Sequence, residues 1–443
     1  MAEKINRRDF LKKAGKAVLS ESSRERADAL ENGQMELRTA SNGDKVSLLG
    51  YGCMRFIMKK GEDGADAIDQ DNVNELIDYA LSHGVNYFDS SPVYMQGLSE
   101  EATGVALSRH PRKDYFLATK LSNFSNWSRE ASMKLYRESF EYLRTDWIDY
   151  YLLHSLGRGG VESFNARFVD NGMMDFLLKE REKGKIRQLG LSFHGNQKEF
   201  DEILSLHEKY HWDFVQIQMN YWDWQHADGK RNVNASYLYE QLDRREIPIV
   251  VIEPLLGGRL ANPTESVANR LKEKDPEASL SSWAFRFTGS YPRILTILSG
   301  MVYMEHLKDN LRTFKNFRPL SEEEKDFLSK DIAGIMADFP TIDCTSCNYC
   351  MPCPYGINIP GILAHYNKSV NGGIFPQTKA QEDYEKLRRA YLVSYDRAVP
   401  TIRQADHCIG CKECLSKCPQ SIDIPKELNR IATYVEKLKR GTL

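Results

Sequence analysis

Eight of the nine cysteines lie in the last hundred residues of this 443-residue chain, and they form two runs of four. The first run consists of Cys344, Cys347, Cys350 and Cys353. The second run consists of Cys408, Cys411, Cys414 and Cys418. A proline follows the last cysteine of each run. Thiols at such short spacings suit a metal centre better than a disulfide framework.

The second run has the C-x2-C-x2-C-x3-C-P pattern of bacterial-type 4Fe-4S ferredoxins, whose fourth cysteine ligates the other cluster of a pair. Two 4Fe-4S clusters are therefore predicted. By the crossing rule, the first takes Cys344, Cys347, Cys350 and Cys418, and the second takes Cys408, Cys411, Cys414 and Cys353. Two zinc knuckles are the alternative, because CxxC pairs also suit tetrahedral zinc.

A second group of residues could transfer protons. Asp89, Lys120 and His154 each lie at the end of a strand-like run, and Tyr94 stands five residues after Asp89. In a barrel of parallel strands, catalytic side chains project from the carboxyl ends of the strands. If the chain folds in this way, the four side chains converge in one mouth.

The elements that must position these residues alternate between strands and helices. Eight short runs rich in Val, Ile, Leu and Tyr are typical of buried parallel strands. They span residues 46–52, 86–91, 115–121, 148–154, 186–193, 213–219, 247–254 and 293–299. Helices are predicted at 71–83, with Asp71 as its cap, at 128–143 and through 179–183. The pattern predicts a (β/α)8 barrel; the alternative is a doubly wound sheet, but no GxGxxG follows the first strand.

Three segments of this sequence resemble the catalytic tetrad of the aldo-keto reductase family. They are Asp89-Ser-Ser-Pro-Val-Tyr94, Thr119-Lys120 and Leu152-Leu153-His154. The match extends over roughly 35–315, and with its cysteine-rich tail the chain resembles the branch that has a C-terminal 4Fe-4S ferredoxin-type domain. The resemblance implies a TIM barrel, a small-molecule carbonyl or alcohol substrate and an NAD(P)H cofactor.

The resemblance also implies a role for each member of the tetrad. Tyr94 would donate the proton to the developing alkoxide, and His154 would orient and polarise the carbonyl. Lys120 would lower the pKa of Tyr94, and Asp89 would keep Lys120 charged.

Four further residues match the family's cofactor site. Ser192 and Gln216 match groups that hold the nicotinamide carboxamide. Glu305 and Asn310 lie in the segment that meets the adenosine phosphate.

The cofactor residues depart from the family at four positions, the first of which is Phe193, where the family usually has Asn. Glu253 stands where a tyrosine commonly stacks on the nicotinamide, and Gly300 and His306 stand where Lys and Arg are usual. A guanidinium clamp on a 2′-phosphate is therefore missing. These departures predict weak NADP selectivity, NAD use or impaired dinucleotide binding.

Three segments are expected along the chain: a tail at 1–34, the barrel at 35–320, and a small, mainly α-helical ferredoxin-like domain at 335–443. Residues 321–336 are predicted to form a helix with an acidic cap, and a polar helix is predicted at 378–394 between the cysteine runs.

Composition and targeting signals limit the partners and the location. The 60 Lys and Arg nearly balance the 62 Asp and Glu, which argues against a nucleic-acid partner. The sequence has no run of about 18 apolar residues, so no membrane span is predicted. Asn6-Arg7-Arg8-Asp9-Phe10-Leu11-Lys12 resembles a twin-arginine export motif, but lysines interrupt the apolar region that should follow. A cytoplasmic location is expected, with twin-arginine export as the alternative.

The two halves of the chain allow two functions. The first is an oxidoreductase of the aldo-keto reductase type that also carries two clusters. The second is an electron-transfer or redox-sensing protein that uses the barrel as a scaffold, with an electron-transfer protein as a candidate partner. Hydride carries two electrons together, and splitting them between one-electron clusters normally needs a flavin, for which the sequence has no signature.

Overall fold

The computed structural model describes residues 30–61, 64–227 and 232–443. The twin-arginine-like motif lies outside the described residues, as does most of the predicted tail. Among the described residues, every helix is too short or too polar to cross a bilayer.

Eight parallel strands close a barrel at the centre of the molecule. They are β1 Leu49–Gly52, β2 Tyr87–Asp89, β3 Phe116–Leu121, β4 Ile148–Gly157, β5 Ile186–His194, β6 Val215–Gln218, β7 Ile249–Ile252 and β8 Ile294–Ser299. Their order around the barrel is β6-β7-β8-β1-β2-β3-β4-β5, so each strand pairs with its sequence neighbours. The predicted (β/α)8 fold is confirmed, and the carboxyl ends of all eight strands meet at one mouth.

A β-hairpin closes the opposite end of the barrel. Its strands are Leu37–Thr39 and Lys45–Ser47. Val46 of the hairpin packs in one buried cluster with Tyr87 and Tyr150 of the barrel interior. The Ser47 N–H donates to the side chain of Asn86, just before β2. The predicted strand at 46–52 is therefore divided between this hairpin and β1.

Helices surround the barrel and form the C-terminal region. They are α1 Gln70–Ser82, α2 Ser99–Leu107, α3 Arg129–Tyr142, α4 Gly160–Phe164, α5 Met173–Glu182, α6 Gln197–Ser205, α7 His207–Tyr210, α8 Ala235–Asp243, α9 Glu265–Lys274, α10 Leu280–Gly289, α11 Met304–Phe314, α12 Glu322–Asp326, α13 Ala333–Ala337, α14 Ile359–Asn371, α15 Tyr384–Ala398 and α16 Ile424–Arg440. The predicted cap of α1 was wrong. Asp69 accepts the Asn72 N–H, and Asp71 lies inside the first turn, where its charge still favours the helix.

Ser321 and Glu324 form a capping box at the start of α12, as expected for the acidic-capped helix. Alpha-helical and π-helical turns then continue through Phe327–Ile332 into α13.

The C-terminal region has its own hydrophobic core, built mainly from α14, α15 and α16. The predicted helix at 378–394 is displaced towards the C-terminus, because α15 begins at Tyr384 and ends at Ala398. Burial explains the displacement. Tyr384, Tyr391 and Tyr395 enter this core, and their spacing fixes which residues are helical.

Candidate active site

The structure brings the four predicted catalytic residues together at the mouth of the barrel. Asp89 ends β2, Lys120 is the penultimate residue of β3, and His154 lies in β4. All four side chains are buried. Lys120 Nζ lies 2.5 Å from Asp89 Oδ1 and 4.8 Å from the centre of the Tyr94 ring. The Tyr94 and His154 ring centroids are 6.0 Å apart and nearly perpendicular.

A tight turn after β2 places Tyr94 over the mouth. Its backbone N–H donates to the Ser91 carbonyl oxygen at 3.1 Å. Met95 and Gln96 then adopt left-handed conformations, with φ of 51° and 59°. Such conformations are unfavourable for residues other than glycine and cluster at functional sites.

Hydrogen bonds along one edge of the ring hold His154 in place. Nδ1 lies 2.5 Å from Ser122 Oγ and 3.3 Å from Ser91 Oγ. The buried guanidinium of Arg167 donates to the His154 carbonyl oxygen at 2.7 Å and fixes the backbone. Burial lowers the pKa of His154 well below its usual value, and Lys120 lowers it further. The imidazole is therefore neutral, and Nε2 remains to meet a group in the mouth.

The expected acidification of Tyr94 is wrong for this arrangement. Burial raises the pKa of Tyr94 well above its ordinary value, and the Asp89 carboxylate raises it further. Lys120 lies over the face of the ring, and its charge is opposed by Asp89. The phenol is therefore a protonated donor at neutral pH.

The predicted cofactor residues fall into two places. Gln216 Nε2 donates to Asp89 Oδ2 at 3.2 Å, which joins it to the tetrad. Ser192, its partner in the sheet register, accepts the Ser155 N–H at 2.7 Å. Both side chains are buried at the mouth.

Asn310 and Glu305 lie apart from Ser192 and Gln216, on α11. Asn310 Nδ2 donates to Ser299 Oγ at the end of β8, at 2.9 Å, and Glu305 is exposed in the first turn. No side chain caps this helix at Tyr303, so its first N–H groups are available to a phosphate. A Cβ built on Gly300 would lie 3.8 Å from Arg55 Cδ, so a cation from another loop stands beside this position.

Sequence reasoning missed Tyr349, which lies between two cysteines of the first run. Its hydroxyl is 3.5 Å from His154 Nε2, and it is a hydrogen-bonding partner of Tyr94. Phe124 flanks its ring at 6.3 Å. Tyr349 follows His154 by 195 residues, so no local signal in the sequence could have joined them.

Residues 343–349, here called the cluster loop, enter the barrel mouth around Tyr349. Asp343 pairs with Arg259 at 2.6 Å, and the Thr345 carbonyl oxygen accepts from Arg55. The loop approaches so closely that a Cβ on Gly257 would collide with the Thr345 backbone.

Glu253, at the end of β7, faces the same loop. Its carboxyl group accepts the Gly257 N–H at 2.8 Å and lies near Arg55 and Thr345. Burial raises the pKa of Glu253. The position expected to stack on a nicotinamide therefore contacts the cluster loop in this structure.

The eight thiols form two neighbouring groups. The Cys418 thiol interacts electrostatically with those of Cys344, Cys347 and Cys350. The Cys414 thiol interacts with those of Cys408, Cys411 and Cys353, and all four line one small cavity. The crossing of ligands between the two runs stays a prediction.

The ligand chemistry also bears on the kind of centre that fits. In the described part of the chain, no three His, Cys, Asp or Glu side chains converge as ligands of a single ion. Each group offers four thiols, which is the ligand set that a 4Fe-4S cluster takes, so the donor chemistry fits such clusters. The number of clusters stays a prediction.

A model of the aldo/keto reductase family matches residues 48–330. The chain belongs to the aldo/keto reductase family. It is thus an oxidoreductase. A second model, that of the 4Fe-4S dicluster domain, matches residues 343–424.

The known relatives of this chain match different shares of it. L-galactose dehydrogenase of Arabidopsis thaliana is 30% identical over 165 residues, which are 36% of this chain and 49% of that protein. The chain thus spans about half the length of this relative. The uncharacterized oxidoreductase YqkF of Bacillus subtilis is 23% identical over 309 residues, 63% of this chain and 90% of YqkF.

The barrel also resembles solved structures. An aldo-keto reductase from Klebsiella pneumoniae in complex with NADPH superposes with a TM-score of 0.53 at 18% identity. The match covers 68% of this chain and 95% of that one, and it supports the fold alone.

Proposed function

We propose that the chain interconverts a small carbonyl compound and its alcohol with a nicotinamide cofactor at the barrel mouth. The observation that carries this proposal is the buried Lys120–Asp89 pair beneath Tyr94, with a neutral His154 opposite. Tyr94 provides a proton donor and His154 a hydrogen-bonding group, and both would face the carbonyl oxygen of a bound substrate.

The tetrad manages the proton of the reaction. In the reducing direction, the Tyr94 hydroxyl gives its proton to the oxygen that would otherwise become an alkoxide. His154 Nε2 hydrogen-bonds the same oxygen and fixes its orientation. A bound reduced nicotinamide would supply hydride to the carbonyl carbon. The raised pKa of Tyr94 keeps the proton in place until negative charge develops on that oxygen.

The proposed cofactor contacts lie at both ends of the dinucleotide. Ser192 and Gln216 would hold the carboxamide, and Asn310 with the N-terminus of α11 would meet the phosphate end. The exposed carboxylate of Glu305 favours ribose hydroxyls over a 2′-phosphate, so NAD is as good a candidate as NADP. The aldo-keto reductase from Klebsiella pneumoniae, which has this fold, was solved in complex with NADPH.

The proposal includes two 4Fe-4S clusters, which would supply one-electron chemistry. Cys344, Cys347, Cys350 and Cys418 would hold one beside the mouth, and the remaining four cysteines would hold one near the surface. Electron transfer is the second candidate function, and one observation favours it. Cys411 is exposed and Ile409 is 65% exposed, which leaves the outer site open to a redox protein.

Replacement of Tyr94 by phenylalanine tests the enzymatic proposal. Turnover of methylglyoxal with NADH or NADPH, and oxidation of L-galactose with NAD or NADP, should be measured on anaerobically purified protein. Tyr94→Phe should lower kcat by about 10²–10⁴-fold without weakening dinucleotide binding, because it removes only the proton donor. Tyr142→Phe, on the exposed side of α3, is the matched control. Unchanged turnover in Tyr94→Phe, or no quench of nicotinamide fluorescence with either dinucleotide, would contradict the proposal.

A further inference from the structure

We infer that the cluster loop is a gate, and that the Tyr349 hydroxyl occupies the position that a substrate's carbonyl oxygen needs. This inference rests on the proposed function and deepens it. The iron–sulfur domain would then act as the lid of the barrel as well as the holder of the clusters.

The hydrogen-bonding geometry supports this assignment. The Tyr349 hydroxyl contacts His154 Nε2 at 3.5 Å and the Tyr94 side chain, which are the two groups that must bind the carbonyl oxygen. Two oxygens cannot occupy that position together. Substrate therefore binds only after Tyr349 withdraws.

The loop also covers the side of the mouth where a nicotinamide ring would lie. Thr345 is buried between Arg55, which follows β1, and Glu253, which follows β7. The missing Cβ of Gly257 makes room for the Thr345 backbone. The closed arrangement thus excludes both reactants of the proposed reaction.

The gate cannot open as a free loop. Tyr349 lies between Cys347 and Cys350, and Thr345 follows Cys344, so cluster ligands tie the loop to its domain. Opening therefore requires the iron–sulfur domain to lift from the barrel.

Several polar contacts oppose this movement. They include Arg259 with Asp343, Arg158 with the Cys418 carbonyl oxygen, and the reciprocal amide bonds of Gln218 and Gln420. Polar interfaces between domains are typical of those that separate.

Acetate binding tests the gate without any nicotinamide or turnover, because a carboxylate oxygen can take the hydrogen bonds of a carbonyl oxygen. Acetate affinity should be measured by calorimetry on the full chain with its clusters. Tyr349→Phe removes the competing hydroxyl and should bind acetate about 3- to 10-fold more tightly than the wild type, the value of one hydrogen bond. Tyr142→Phe should not change the affinity. The gain in acetate affinity should disappear when Tyr94→Phe is added to Tyr349→Phe, because acetate then loses the Tyr94 hydroxyl as its hydrogen-bond donor.

Two outcomes would overturn the inference. One is equal acetate affinity in Tyr349→Phe and the wild type, and the other is a gain that survives Tyr94→Phe. Arg259→Ala weakens the closed state from outside the mouth and should tighten acetate in the same direction. If Arg259→Ala does not bind acetate more tightly, the proposed lifting of the iron–sulfur domain is wrong.

Turnover separates the gate from a catalytic role for Tyr349. A gate predicts that kcat/KM rises in Tyr349→Phe, and a fall would assign Tyr349 to catalysis and overturn the inference. Failure of the proposed function has a different signature, because no variant would turn over while the acetate results still held.

Discussion

Lys120 is a buried ammonium group with two oxygen partners, Asp89 and the Ser90 carbonyl. Burying both charges of the pair costs several kcal/mol, which their attraction offsets only in good geometry. Burial lowers the pKa of Lys120, while Asp89 opposes that shift. Such a pair contributes little net stability, so its position beneath Tyr94 is better explained by chemistry than by folding.

Lys120→Met should destabilise the fold by about 3–5 kcal/mol, because Asp89 is left as an unpaired buried charge. The double variant Lys120→Met with Asp89→Asn should recover most of that loss but no turnover. Anaerobic thermal unfolding of the two variants and the wild type measures the effect. A single variant as stable as the wild type would mean that the ion pair does not form.

At the scale of single residues, the sequence predicted the tetrad because strand ends converge in any parallel barrel. Lys120 and His154 needed only their positions in β3 and β4. The direction of the pKa shift of Tyr94 was mispredicted, because it depends on burial and on where Lys120 lies relative to the ring. Tyr349 could not be predicted, since its contacts arise only when two domains dock.

Helix α2 presents a buried carboxyl group to the barrel. The Thr119 hydroxyl donates to Glu100 at 2.5 Å, and Glu100 is almost fully buried. Burial raises the pKa of Glu100 to about 7 from its ordinary value of 4.5. The carboxyl group therefore lies behind Lys120 in a largely neutral form below pH 7.

Glu100 should make the fold less stable as pH rises. Its pKa is higher in the folded than in the unfolded chain, so between pH 4.5 and 7 the unfolded chain binds fewer protons. Stability is then lost with rising pH across that window, by about 3 kcal/mol in full. Glu100→Gln should remove this dependence, which unfolding midpoints at pH 5 and 8 would measure. A wild type and variant with parallel pH profiles would contradict the shift.

At the scale of elements, hydrophobic pattern was sufficient for the eight strands and for α3, which begins one residue after its predicted start because Ser128 is its cap. The errors have local causes. From the sequence alone, Asp69 and Asp71 are equally good candidates for the N-cap of α1. Only the observed start of the helix, at Gln70, shows that Asp69 is the cap. The polar stretch before α15 has helical composition, but the buried tyrosines decide where the helix forms.

The two domains meet through a polar interface at the barrel mouth. Arg158, after β4, donates to Ser416 and Ser421 near Cys418. The Cys418 thiol lies close enough to those of Cys344 and Cys350 to interact with them electrostatically. If these thiols hold one cluster, as proposed, its assembly is coupled to closure of the barrel.

The crossing can be tested by iron content. The wild type should bind about eight iron atoms and Cys418→Ala about four. Adding Cys350→Ala should cause no further loss, whereas adding Cys411→Ala should remove the second cluster. Cys53→Ala, at a buried cysteine that directly follows β1, is the control. Equal losses in the two double variants would refute the crossing.

The proposed chemistry predicts that hydride passes directly from the nicotinamide to the substrate carbon and does not travel as electrons through the clusters. A nicotinamide dideuterated at C4 should therefore transfer one deuterium to the carbonyl carbon of methylglyoxal, detected by mass spectrometry of the alcohol. Alcohol formed without deuterium at that carbon would show that the electrons take another route and would contradict the account.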